Sequence, residues 1–164
     1  MPDILTHALV GYMLGTLLAM HFDRLGPAHV TLAMFGALTP DLTKIALLLP
    51  SEQVEALLGI PFDRFALHML GGNLIIVLLG TLLVVPKYRT RVLLLLGLGG
   101  ASHHTLDLLL INVSGYAYPV LWPLTQYNPP GGMLYLSTDR WLAVITGIVA
   151  AGLWWTRRAI IGTT

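Results

Sequence analysis

VLLLLGLGGASHHTLDLLLI, residues 92–111, is long enough to cross a bilayer, yet it carries His103, His104 and Asp107 in its second half. A spanning helix needs about 20 apolar residues. A charge at the bilayer centre costs about 2.5–3.5 kcal/mol on insertion scales. Ionisable groups inside such a stretch therefore tend to face a protein interior or a watery cavity, not lipid.

Four more apolar stretches surround this one. They are Ile4–Met20, with no charge; Val30–Leu49, interrupted by Pro40, Asp41 and Lys44; Phe65–Val85; and Trp141–Ile161, whose fully apolar part ends at Arg157 and Arg158. The expected fold is all-α: a polytopic membrane protein, a bundle of about five transmembrane helices with a broken second helix. Residues 1–164 read as a single membrane-embedded domain. The first stretch has no basic n-region and no small-residue cleavage site, so it reads as a retained helix.

Composition points the same way. Of 164 residues, 55% are hydrophobic and 10% charged, against about 25% charged in a soluble domain. Mean hydropathy is +0.76. Too few polar residues remain to cover a water-facing surface. Nine Lys+Arg against eight Asp+Glu give a net charge of +1, no footprint for a nucleic acid. Cysteine is absent, which excludes disulfides, zinc–thiolate sites and thiol nucleophiles. No G-x-S-x-G elbow is present, which disfavours a serine esterase.

Orientation is read from Lys and Arg in short loops. Arg24, Lys87, Arg89, Arg91, Arg157 and Arg158 share one side of a five-span topology, and Arg64 and Arg140 the other. The expectation is a multi-pass chain of a cell membrane with its N-terminus outside and its C-terminus inside. Small-residue spacings (Gly11 with Gly15, Gly97 to Ala101, Gly147 with Ala151) read as close helix-packing faces. Membrane lipids are the expected partners, and a homo-oligomer is left open. Ser51 to Ile60 reads as a short amphipathic interfacial helix with Ser51 as N-cap. Asn112 to Thr138, rich in Pro, Gly and Tyr, reads as an interfacial anchor or a lid.

The ionisable residues within the stretches are His7, Asp41, Lys44, His68, His103, His104 and Asp107. Their depth is informative. His7 and His68 lie about 5 Å inside the starts of stretches one and three, at 1.5 Å per residue. Asp41 and His103 lie about 12 Å, and Asp107 about 6 Å, from the ends of stretches two and four. Alternating helices put all five in one leaflet. Imidazole and carboxylate suit a divalent metal, zinc first, manganese or iron otherwise. His103 and Asp107, at i and i+4, share a helical face, and His104 is an alternative to His103. Thr39-Pro40-Asp41 reads as N-cap, N1 proline and early helical acid, with Asp41 at a positive dipole end. The plainer readings are an Asp41–Lys44 ion pair and a His103–Asp107 hydrogen bond. The coincidence of five such residues at one depth favours a shared polar site.

The order Thr6-His7, Pro40-Asp41, Arg64-x-x-x-His68, Ser102-His103-x-x-x-Asp107 and Tyr118-Pro119-x-x-Trp122-Pro123 resembles the YdjM-like family. Its members are inner-membrane proteins described as metal-dependent hydrolases, distantly similar to zinc phospholipase C and P1-type nucleases. The resemblance runs from about residue 3 to 124. It implies His7, Asp41, His68, His103 and Asp107 as metal ligands and Arg64 as an anion contact. The sequence departs from the family's P-D-x-D and H-R-x-x-T-H-S patterns: Thr43 replaces the second Asp, Asp63 the first His, and Leu67 and Met69 the flanking Thr and Ser.

The expected function is therefore a metal-dependent hydrolase acting on a lipid or phosphoester at the outer leaflet. Asp41 or Asp63 would take the proton of the attacking water. Arg64 would offer a bidentate fork to an anionic head group. Lys44 and His104 would support the ligands or substitute for one. Tyr116, Tyr118 and Trp122 of the long loop would cover the substrate. The alternatives are a metal-binding or transport protein, and a non-catalytic membrane protein with a degenerate site.

Overall fold

The computed structural model describes residues 4–47, 50–59, 63 and 65–161, the side chains of 45–47 and 160–161 excepted. Among the described residues every regular element is helical. The α-helices are α1 (Ile4–His21), α2 (Pro27–Leu38), α3 (Ser51–Leu58), α4 (Phe65–His68), α5 (Leu70–Leu82), α6 (Arg89–Leu108) and α7 (Trp141–Ile161). A 3-10 helix over Pro40–Leu47 follows α2, and a short 3-10 turn over Pro86–Tyr88 precedes α6.

The fold is ordered by small residues that let backbones meet. A Cβ at Gly11 would lie 2.8 Å from the Ala33 carbonyl oxygen, so α1 and α2 touch main chain to main chain. Gly99 plays the same part between α6 and α2, where a Cβ would overlap the Ala33 carbonyl oxygen and the Ala37 nitrogen. These are the small-residue faces that the sequence displays. Besides α2, α1 also packs on α7, and α6 also packs on α5.

Two expected helices are interrupted. The second stretch splits into α2 and the 3-10 helix, with the break at Thr39 and Pro40. Proline lacks the N–H that the α-helical ladder needs, so the ladder stops there, although Thr39 itself keeps α geometry (φ −59°, ψ −41°). Thr39 is thus the C-cap of α2 and not an N-cap. The third stretch is broken as well, at Met69, whose backbone is extended (φ −87°, ψ 165°). The first amides of α5 are satisfied from outside: Leu70 and Gly71 donate to the carbonyls of Val120 and Trp122, both at 2.9 Å. Tertiary partners thus replace the cap that Met69 cannot supply. Ser51 is also corrected: Pro50 is the N-cap of α3 and Ser51 its first residue.

Among the described residues one helix, α1, is long and apolar enough to cross a membrane by itself. The interruptions shorten α2 and α5. α6 has the length, but Arg89, Arg91 and the polar residues of its C-terminal half lower its apolarity. The side chains are nonetheless distributed unlike those of a water-soluble bundle: polar groups share the interior with Val77, Val92 and Leu96, and large apolar groups lie outside. Thr6, His7, Thr16, Asp41, His68, Asn73, Thr81, His103, His104 and Asp107 are buried, whereas Leu17, Phe35, Ile75, Leu79, Leu94 and Ile148 are exposed. Exposed apolar faces of this kind are unusual for a soluble monomer.

The long connection between α6 and α7 folds back on the end of α6. Gly132 donates to Leu108 O (2.7 Å), Leu134 to Leu109 O (2.9 Å), and the buried Tyr135 hydroxyl to Leu106 O (2.6 Å). The terminal carbonyls of α6, which lack partners within the helix, are held by this loop. The same loop carries Tyr118 toward the polar interior.

Candidate metal centre

Five segments converge on Asp107 and its neighbours. α1 supplies His7, the 3-10 helix Asp41, α4 His68, α6 His103, His104 and Asp107, and the long loop Tyr118. Asp107 is enclosed by imidazoles. His68 Nε2 lies 2.7 Å from its Oδ2, His103 Nε2 3.5 Å from Oδ2, and His7 Nε2 3.6 Å from Oδ1. The His7 and His103 rings stack, with centroids 3.7 Å apart.

Hydrogen-bond direction shows what this arrangement can hold. His103 Nδ1 faces the Ala37 carbonyl at 2.8 Å, and His68 Nδ1 faces the Pro40 carbonyl at 3.1 Å. A carbonyl only accepts, so each Nδ1 carries the proton. A neutral ring that donates from Nδ1 presents a lone pair at Nε2. Both lone pairs then point toward the Asp107 carboxylate, itself an acceptor. His68 Nε2, 2.7 Å from Oδ2, is at hydrogen-bond distance and satisfies that oxygen when the ring is protonated; with both rings neutral, acceptors face an acceptor, an arrangement that a cation among them relieves. A metal-ligating His characteristically donates its other nitrogen to a backbone carbonyl, as both rings do here.

Unpartnered buried atoms mark the same spot. His7 Nε2, His103 Nε2, Asp41 Oδ1 and Asp107 Oδ1 all lack a hydrogen-bond partner. Leaving such groups bare inside a protein costs about 1–3 kcal/mol each, more for a charge. Donor atoms of two overlapping triads, His7–His103–Asp107 and Asp41–His68–His103, lie within 4.8 Å of one another. The two triads share His103, whose one free nitrogen serves either. The donor set fits a divalent cation.

Other candidate residues fall at different distances. Lys44 Nζ bonds Asp41 Oδ2 at 2.6 Å, so the expected ion pair exists and leaves Oδ1 free. Thr43 donates to the Pro40 carbonyl at 3.3 Å. His104 is not in either triad; it sits between Asn73 and Tyr118. Tyr118 reaches Asp107 Oδ2 at 3.4 Å. Burial, then the Asp107 charge, push its phenol above the ordinary range, so it stays protonated.

Asp63 is exposed, and its Oδ1 accepts the Phe65 amide at 2.9 Å, next to the start of α4. Tyr116 is exposed on the outer loop. Trp122 serves through its carbonyl, which takes the Gly71 amide. Arg64 lies outside the described residues. The functional neighbour missing from the sequence reading is Asn73, buried between Thr39 and His104. An amide inside the otherwise apolar Leu70–Leu82 is the signal that would have found it.

Helical interruptions, exposed apolar faces and a buried His/Asp cluster together define an all-helical protein of membrane-protein character that can hold a metal ion. The comparison of families agrees: the profile of the YdjM inner membrane protein family matches residues 1–164, and the chain belongs to that family. No curated protein and no solved structure matches it.

Proposed function

We propose that the chain is a multi-pass inner-membrane hydrolase whose divalent metal, zinc first and manganese or iron otherwise, acts on a lipid or phosphoester at the outer leaflet. The observation that carries this reading is the set of four unpartnered donor atoms, His7 Nε2, His103 Nε2, Asp41 Oδ1 and Asp107 Oδ1, gathered from three segments. A bound divalent cation would supply Lewis acidity to water and to a phosphoryl or acyl oxygen. The chain's residues would do the rest. His7, His103, His68 and Asp107 would hold the ion. Asp41 Oδ1 would take the water's proton, with Lys44 fixing the other oxygen. Arg64 would meet the anionic head group. Asp41 and Lys44 are the edge of the cluster nearest the surface, with side chains 4% and 32% exposed.

The test is hydrolysis of short-chain phospholipids and aryl phosphodiesters by the detergent-solubilised chain. Chelation abolishes turnover and zinc or manganese restores it. Asp41→Asn lowers kcat by about 100-fold or more, the usual scale of a lost general base. Turnover indifferent to chelation contradicts the reading. The near-complete burial of the ligands favours one rival, a structural metal centre, and metal retention without any turnover would establish that rival instead.

The apolar outer faces support several crossings, and with five of them the six-to-two distribution of basic residues supports an outside N-terminus. The chain has no native cysteine, so single cysteines report cleanly. Ser51→Cys is expected to react with an impermeant reagent from outside, and Tyr88→Cys only after permeabilisation. The opposite pattern reverses the topology.

A further inference from the structure

Thr39, Asn73, His104 and Tyr118 lie in one line of contacts ending at Asp107. The Thr39 hydroxyl is 2.6 Å from Asn73 Oδ1, Asn73 Nδ2 is 3.3 Å from His104 Nε2, and His104 Nδ1 is 3.0 Å from the Tyr118 oxygen. Tyr118 is in turn 3.4 Å from Asp107 Oδ2. The direction of the line is fixed from its far end. A carboxylate only accepts, so Tyr118 donates to Asp107. The Tyr118 oxygen then accepts from His104, which places the His104 proton on Nδ1. Nε2 is left as an acceptor, and Asn73 Nδ2 donates to it. Asn73 Oδ1 then faces the Thr39 hydroxyl as an acceptor. Every link has one donor and one acceptor. Thr39 also lies 2.7 Å from the Gly36 carbonyl, but its proton is drawn to Asn73 by the orientation that the rest of the line requires.

The neighbourhood is built for this line. A Cβ at Gly100 would overlap the Asn73 amide nitrogen, so only glycine there admits Asn73 to His104. Asn73 and His104 are both buried, and neither His104 nitrogen is among the unpartnered buried atoms. His104 thus differs from His7 and His103, each of which has a bare Nε2.

We propose that this one-way chain, beside His68 Nε2 at 2.7 Å, engages Oδ2 of Asp107 and leaves Oδ1 for the ion, making His104 a positioning residue and not a metal ligand. The role at Oδ1 rests on the metal reading above; the tautomer of His104 does not. Histidines beside a metal owe their orientation to such outer partners, whose loss typically weakens metal binding about 10–100-fold.

The experiment is nitrogen NMR of the full chain in detergent, labelled with 15N-histidine, before and after addition of Zn(II). His104→Gln assigns the His104 signals. The expected His104 pattern is a pyrrole-type Nδ1 and a pyridine-type Nε2 in the metal-free chain, unmoved by zinc. His103 Nε2 is expected to shift. Tyr118→Phe is expected to weaken zinc binding about 10–100-fold with the number of ions per chain unchanged. A protonated Nε2 on His104, or a zinc-induced shift of that atom, overturns the proposal; so does Tyr118→Phe with unaltered affinity. A wild-type chain that takes up no zinc overturns the metal reading and the Oδ1 role, while the metal-free tautomer still decides the hydrogen-bond chain.

Discussion

Asp107→Ala is expected to lower bound metal from near one ion per chain to background. Among the described residues Asp107 is the carboxylate that faces three imidazoles: His7 at 3.6 Å, His68 at 2.7 Å and His103 at 3.5 Å. Its removal takes away the anion that balances the cation and the oxygen on which Tyr118 closes. Among the described residues the one carboxylate left beside the imidazoles is Asp41, whose Oδ2 is already paired with Lys44, and a dication is not retained by imidazoles held for a different geometry. Metal analysis of the purified variant checks this, with circular dichroism to verify helix content. Asp107→Ala retaining wild-type metal would move the centre to the Asp41–His68–His103 triad alone.

Gly99→Val is expected to destabilise the fold by about 3 kcal/mol or more, at or beyond the upper end of the usual overpacking cost. The new Cβ would meet main chain only: the Ala33 carbonyl oxygen, the Ala37 nitrogen and, at 2.7 Å, the Gly36 carbonyl carbon. None of these can swing away as a side chain would, so α2 and α6 must separate. The same approach lets His103, one turn further along α6, give its Nδ1 proton to Ala37 O at 2.8 Å. Separation therefore costs both stability and the orientation of a ligand. Thermal unfolding in detergent gives the first effect and zinc titration the second. Gly97→Val is the control, because a Cβ there meets open space.

The parts of the centre that were legible in the sequence are those fixed by local chain geometry. Depth along a helix follows from residue counting, so the gathering of His7, Asp41, His68, His103 and Asp107 could be anticipated from alternating helix directions. The break at Pro40 followed from proline's missing N–H. Other features depend on partners far away in the chain, which no local pattern displays. The break at Met69 is stabilised by the carbonyls of Val120 and Trp122. The tautomers of His103 and His68 are set by the Ala37 and Pro40 carbonyls. Three aromatics of the long loop looked equivalent as a cover; only Tyr118 reaches Asp107. Asp63 looked like a carboxylate in a motif and instead accepts an amide beside α4. The apolar stretches located the helices, and Pro40 marked the break in the second, but the length of the third concealed the break at Met69.

Function and mechanism both depend on a cation among the converging acceptors. The most direct measurement is the metal-to-protein ratio of the purified wild-type chain, by mass spectrometry, with His103→Ala of matched folding beside it. The account predicts near one zinc, manganese or iron per wild-type chain and background metal in the variant, whose lost nitrogen belongs to both triads. A wild-type chain that stays metal-free after reloading with zinc and with manganese contradicts it, and would leave the buried cluster as hydrogen bonds that pack one helix on another.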